Sequence, residues 1–190
     1  IMRESTMIWG NRQLYHMLMY VTDLIYEGKI STKNDKMSTL IGRISDDRGR
    51  RFNKLIADIL SDMEVFVIDS NVDKINKQSV ADEKGNTLGD IDVLIIDREK
   101  KRIYVAEVKD FNFSRNPYEI QQEYQKMFVD GKKKCYATKH ARRVDWVKEH
   151  IEDVKLHYKL ADVTWNVYGL FIVSEPLIST QVYHQKLEVI

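Results

Sequence analysis

The run from Gly89 to Asp110, G-D-I-D-V-L-I-I-D-R-E-K-K-R-I-Y-V-A-E-V-K-D, limits what this chain can fold into more than any other stretch. It predicts a β-hairpin of two apolar strands, Ile91 to Ile96 and Ile103 to Val108, joined by the charged turn Asp97 to Arg102. Strands apolar on both faces belong in the middle of a sheet that is covered on both sides, so the polar residues within them stand out. Those residues are Asp92, Glu107 and Lys109. Glu107 and Lys109 are two apart and project from one face. If Ile96 pairs with Ile103, the same register sets Asp92 opposite Glu107.

Two carboxylates about 5 Å apart across a strand pair repel unless positive charge lies between them. A divalent cation would supply it, and oxygen ligands select a hard ion such as Mg²⁺ or Mn²⁺. The Lys109 ammonium would then lie where it orients an attacking water or stabilises developing phosphorane charge. Without metal, the two carboxylates are expected to strain the fold.

At these residues the chain resembles the PD-(D/E)XK nuclease superfamily, in the branch of nuclease-related domains and Holliday-junction resolvases. The likeness rests on G-D-I-D at 89–92 and E-V-K at 107–109, set on two apolar strands with a hairpin turn between them. It implies a three-layer α/β/α restriction-endonuclease-like fold with a central mixed sheet. It also implies Mg²⁺ or Mn²⁺ held by Asp92, Glu107 and the backbone carbonyl of Val108, with Lys109 positioning the water. In this family the first core helix often presents a glutamate to the metal. The matching stretch here, Gly49 to Asn53, has Asn53 at that position. On a helical wheel Asn53 lies about 20° from Leu60, at the border of the buried face. An amide can ligate or hydrogen-bond a metal-bound water but brings no charge, and a plain helix amide reads equally well. Asp90, two residues before Asp92, reads either as a further carboxylate near the metal or as a strand-edge acid.

At 190 residues the chain suits one main domain with a real core. A formal net charge of +1 gives no global argument for nucleic acid, so that argument rests on local clustering. It is found at Lys132 to Arg143, where Lys132, Lys133, Lys134, Lys139, Arg142 and Arg143 occur with no acid among them. These six are the predicted phosphate contacts for DNA. The single cysteine, Cys135, excludes an intrachain disulfide and, with no Cys/His ligand spacing, a structural zinc site. No membrane-length apolar run and no leader is seen, so a cytoplasmic protein is expected. Ile1 preceding Met2 suggests a piece of a longer chain.

Along the chain, Trp9 to Gly28 predicts a helix with an apolar stripe from Leu14 to Ile25, an extension over 1–36 that either packs on its own domain or docks on further domains or a second copy. The nuclease-like domain is expected over 37–190. Met37 to Ile44 reads as a short strand or irregular lead-in. Asp46 or Asp47 then caps a helix Arg50 to Met63, with Phe52, Leu55, Ile56, Ile59, Leu60 and Met63 on one face. Glu64 to Ile68 reads as a strand and Lys74 to Val80 as a weaker one. Asn116-Pro117-Tyr118-Glu119 opens a helix with a capping box that runs to about Asp130 and offers Gln121, Gln122 and Gln125, of which Gln122 is the candidate to stand behind the site. A basic-headed helix follows, with the stripe Ala137, Ala141, Val144, Val147, Ile151, Val154 and Tyr158. Trp165 to Val173 reads as a buried strand ended by Pro176, and Leu187 to Ile190 as a short edge strand.

The expected function is Mg²⁺-dependent hydrolysis of DNA, by internal rather than terminal cutting. Two alternatives remain at this point: a degenerate nuclease fold that binds nucleic acid or protein without cleavage, and a hydrolase of a small phosphate substrate.

Overall fold

A computed structural model describes residues 9–30, 32–114 and 116–183. The predicted strand at Leu187 to Ile190 lies outside them. The chain divides into two compact units, 1–49 and 50–190, with the division falling inside a helix.

In the first unit, α1 spans Asn11–Tyr26. Its end is set by Gly28, whose φ of 65° lies in the left-handed region that terminates helices at low cost. The stretch 37–44, expected as a short strand or an irregular lead-in, is instead helix: α2 runs unbroken from Asp35 to Ser61. Its start is fixed by Asn34, whose Oδ1 accepts the Met37 N–H at 3.1 Å. That cap precedes Asp46 and Asp47, which sit exposed in mid-helix rather than capping a second start.

The second unit is built on a four-stranded mixed sheet, order β1-β4-β5-β6, with β1 Phe66–Val72, β4 Ile91–Asp97, β5 Arg102–Lys109 and β6 Asn166–Val173. The first three strands are antiparallel and β6 runs parallel to β5. Two short strands, β2 Lys74–Ile75 and β3 Gln78–Ser79, make a separate hairpin. Its two turn residues, Asn76 and Lys77, both have positive φ, as a two-residue hairpin loop requires. The central hairpin has the expected register, Ile96 opposite Ile103 and Val93 opposite Ala106.

The sheet is covered on both faces, giving three layers. Leu94, Ile96, Ile103 and Val105 pack with Val144 and Val147 of α4 (Tyr136–Glu149) and Val154 of α5 (Ile151–Tyr158). On the other face Val93, Ile95, Ala106 and Val108 meet Phe52, Ile56, Ala57 and Leu60 of α2. The α2 stripe is rotated from the predicted one: Leu55 and Ile59 point outward. β6 is an edge strand, with Asn166, Tyr168 and Gly169 exposed, so the expectation of a buried strand fails there.

Between β5 and α4, α3 spans Pro117–Phe128 with the predicted Asn116 cap: Oδ1 accepts the Glu119 N–H at 3.0 Å, and Nδ2 donates to Glu119 Oε1 at 2.9 Å. Glu123, on its inner face, is buried and wholly occupied. Its Oε2 accepts from the Ser114 hydroxyl at 2.6 Å and its Oε1 from the Ser179 N–H at 2.8 Å, tying α3 to the loop before it and to α6 (Ile178–Val182). Buried charge persists only where hydrogen bonds replace water, and here they do.

Candidate functional site

β4 and β5 are buried over nearly their whole length, and alternation sends Asp92, Glu107 and Lys109 to the face that α4 covers. Register brings the three together. Lys109 Nζ lies 2.9 Å from Asp92 Oδ2, 2.8 Å from Glu107 Oε1 and 3.1 Å from the Val108 carbonyl oxygen. The three groups predicted to hold a metal thus converge on one point, and the ammonium of Lys109 stands at it. The Val108 N–H also donates to Asp92 Oδ2 at 2.8 Å, so Asp92 closes the open end of the β4–β5 ladder.

The repulsion expected between the two carboxylates is therefore offset by cations of the chain itself. Burial alone would lower the Lys109 pKa, but the charges of Glu107 and Asp92 outweigh it and hold the ammonium above its ordinary value. A second cation comes from α4. Arg143 Nη1 donates to Glu107 Oε2, and its Nε donates to the Leu88 carbonyl at 3.0 Å. Arg143, predicted as a phosphate contact, is only 8% exposed and spends part of its guanidinium on Glu107. Because Glu107 is 2% exposed, the pairing is poorly screened, and removing one partner of such a buried pair costs about 3–5 kcal/mol.

The glycine of G-D-I-D has a reason in this geometry. Gly89 adopts φ +82°, and a Cβ there would lie 3.2 Å from Arg143 Nη2. Glycine lets the loop ahead of β4 take this φ and pass close over the guanidinium without strain.

His140, one turn before Arg143 on α4, is also buried, with Nδ1 4.0 Å from Glu107 Oε2 and its ring against Phe171 at 4.6 Å. Neither ring nitrogen has a hydrogen-bond partner among the described residues. Burial first, and then the Arg143 charge, lower its pKa to about 4, so it is neutral at pH 7 despite the nearby carboxylate. The predicted stripe holds at Val144, Val147 and Val154, whereas its Ala141 is exposed and the buried side also carries His140 and Arg143, which an apolar pattern does not include.

The other candidates lie outside the carboxylate cluster itself. Asn53 lies on α2, against the opposite face of the sheet, with Nδ2 donating to Asn71 Oδ1 at 3.3 Å and a buried Oδ1 that has no partner among the described residues. Asp90 is exposed just outside β4, and Gln122 is half-buried on α3. Lys132, Lys133 and Lys134 are exposed in the segment before α4. Lys134 pairs with Asp130 at 2.8 Å, and Arg142 with Asp82 at 3.2 Å. Lys139 is half-buried with Nζ over the Tyr136 ring at 6.0 Å. Among the described residues no group of three or more His, Cys, Asp or Glu side chains gathers as a metal cluster. Nor is any described helix long and apolar enough to cross a membrane.

Fold and site together define a three-layer α/β domain whose central hairpin carries a pair of carboxylates bridged by Lys109, with Arg143 on Glu107. The sequence pattern of the Upx-like family, described as "Anti-phage protein Upx-like", matches residues 4–178, and the chain belongs to that family. Membership connects it with defence against phage. Comparison with curated proteins and with solved structures gives no match.

Proposed function

We propose that this chain defends against phage as a metal-dependent nuclease of the PD-(D/E)XK type, hydrolysing DNA phosphodiester bonds. One observation carries the reading: carboxylate oxygens from Asp92 and Glu107 and the Val108 carbonyl oxygen meet at a single cation-sized point. Three oxygens around one positive centre are the donor set a hard divalent ion takes, usually with water and substrate phosphate completing the shell. Bound there, Mg²⁺ or Mn²⁺ would supply Lewis acidity and a more acidic water for in-line attack. Lys109, displaced from the oxygens but still on the same strand face, would hold that water or the departing oxygen. His140, neutral and buried beside Glu107, keeps the site dry on the α4 side. The order α2-β1-β2-β3-β4-β5-α3-α4-α5-β6, with β2 and β3 in a separate hairpin, supports the fold that the resemblance implies.

A second reading draws on Arg143 and Asn53. With Arg143 seated on Glu107 and an amide where the resembling superfamily often carries an acid, the domain is instead a nuclease fold that binds nucleic acid or protein without cutting.

A plasmid-nicking and linear-duplex assay with Mg²⁺ or Mn²⁺ separates the two. Under the favoured reading Asp92→Ala, Glu107→Gln and Lys109→Ala each abolish cleavage while the far-ultraviolet spectrum is kept, because groups acting as one unit lose activity together. Full activity in Lys109→Ala would overturn the assignment of the site. Binding without cleavage by the native protein would favour the second reading.

A further inference from the structure

Beside the carboxylate cluster lies a cavity of about 440 Å³ whose charged lining is entirely basic: Lys133, Lys134, Lys139, Arg142 and Arg143, closed on one side by the loop 87–89. Asp130 offsets Lys134, Asp82 offsets Arg142, and Glu107 takes one arm of Arg143. Lys133 and Lys139 have no carboxylate partner among the described residues. A concave wall of surplus positive charge concentrates anions, and the volume suits one phosphate with part of what it is attached to. Lysines as movable point charges beside arginine forks are the donors phosphate uses.

We propose that this cavity is a phosphate-binding subsite, and that Arg143, shared between it and Glu107, couples the subsite to the carboxylate cluster. The guanidinium holds Glu107 with Nη1 and the Leu88 carbonyl with Nε, while Nη2 lies at Gly89 in the cavity wall. A phosphate entering the cavity competes for this guanidinium and loosens its grip on Glu107 Oε2. Glu107 then has more negative charge to offer a cation at the Lys109 point, so phosphate and divalent ion raise each other's affinity by the same factor. The subsite stands on the cavity alone; the coupling rests on the metal reading proposed above, and the two are tested apart.

The first arm titrates inorganic phosphate into the full chain in chelator, by calorimetry and thermal melting. Saturable binding is expected, weakened about tenfold for each charge-assisted contact removed in Lys133→Gln and Lys139→Gln, with phosphate-free melting unchanged. Lys148→Gln, outside the cavity, is the control. No saturable binding, or binding indifferent to the Lys133→Gln/Lys139→Gln pair, overturns the subsite. Replacing inorganic phosphate by a nucleoside monophosphate and by a short duplex identifies the source: tighter, steeply salt-dependent duplex binding assigns a nucleic-acid backbone, and equal or tighter binding of the monophosphate assigns a free nucleotide.

The second arm measures Mg²⁺ affinity by melting shift with and without phosphate. Phosphate is expected to tighten Mg²⁺ binding severalfold in the native chain and to lose that effect in Arg143→Gln. Arg143→Lys serves as a second variant in case Arg143→Gln does not fold, with the effect reduced because lysine cannot bridge both partners. An undiminished effect in either folded variant overturns the coupling. Failure of Mg²⁺ to stabilise the native chain at all removes the metal reading and the coupling, and leaves the first arm's result standing.

Discussion

Asp92 is the residue at which charge counting and geometry part. Two carboxylates on adjacent strands ought to repel, and by that logic Asp92→Asn would relieve the metal-free fold. In the structure Asp92 Oδ2 instead accepts from the Val108 N–H and from the Lys109 ammonium. The substitution therefore removes an ion pair and leaves Lys109 with one carboxylate, so Asp92→Asn is expected to lower metal-free stability by about 1–3 kcal/mol. Denaturant melts in chelator measure it, and a more stable variant would restore the repulsion argument. His140 gives a second test at this scale. Its folded pKa is depressed to about 4 from an ordinary 6.5. In that window the unfolded chain binds more protons, so stability is fully present above pH 6.5 and is lost as the pH falls toward 4. His140→Gln is expected to flatten this part of the stability-versus-pH curve, measured in chelator. An unaltered slope would mean that His140 reaches solvent.

At the scale of elements, the parts legible in sequence were those whose signal is local. The β4–β5 register follows from apolar runs around one charged turn, and the α3 start from Asn116, Pro117 and Glu119 within four positions. What escaped depends on partners far along the chain. Arg143 reads as part of a basic run, yet its place is fixed by Glu107 and Leu88. Glu123 carries no signal of its own in the sequence, and its burial depends on Ser114 and Ser179. The Asp46–Asp47 pair offers a stronger-looking cap than Asn34, but a helix already nucleated at Asn34 runs through it. The loop ahead of β4 carries a prediction of its own. Gly89→Ala places a side chain at φ +82° and 3.2 Å from Arg143 Nη2, so a loss of about 1–3 kcal/mol is expected. Because the strain falls on Arg143, the double variant Gly89→Ala/Arg143→Gln should lose less than the sum of its parts. Strict additivity in the melts would show that the loop and the guanidinium are not in contact.

For the whole molecule, folding and ion binding are linked through Lys109. The ammonium supplies the charge that lets a buried hairpin carry two carboxylates, and it occupies the point at which their oxygens meet. A divalent ion must therefore displace it, and the native chain's metal affinity is the balance of the two cations. Lys109→Met removes the competitor at similar length. Without metal the variant should be less stable by about 3–5 kcal/mol, since Asp92 loses its cation and Glu107 keeps only Arg143. With Mg²⁺ or Mn²⁺ it should recover more stability than the native protein gains. An ion that binds only the folded state adds about 2.7 kcal/mol at a hundredfold excess over its dissociation constant, and the constant itself should be smaller in the variant. Cleavage should stay absent throughout, because tighter metal binding does not replace the ammonium beside the attacked phosphate. Melts of both proteins across a metal series, read beside the nicking assay, test this directly. A Lys109→Met protein that gains no more from metal than the native chain would mean that the three oxygens hold the lysine and nothing else.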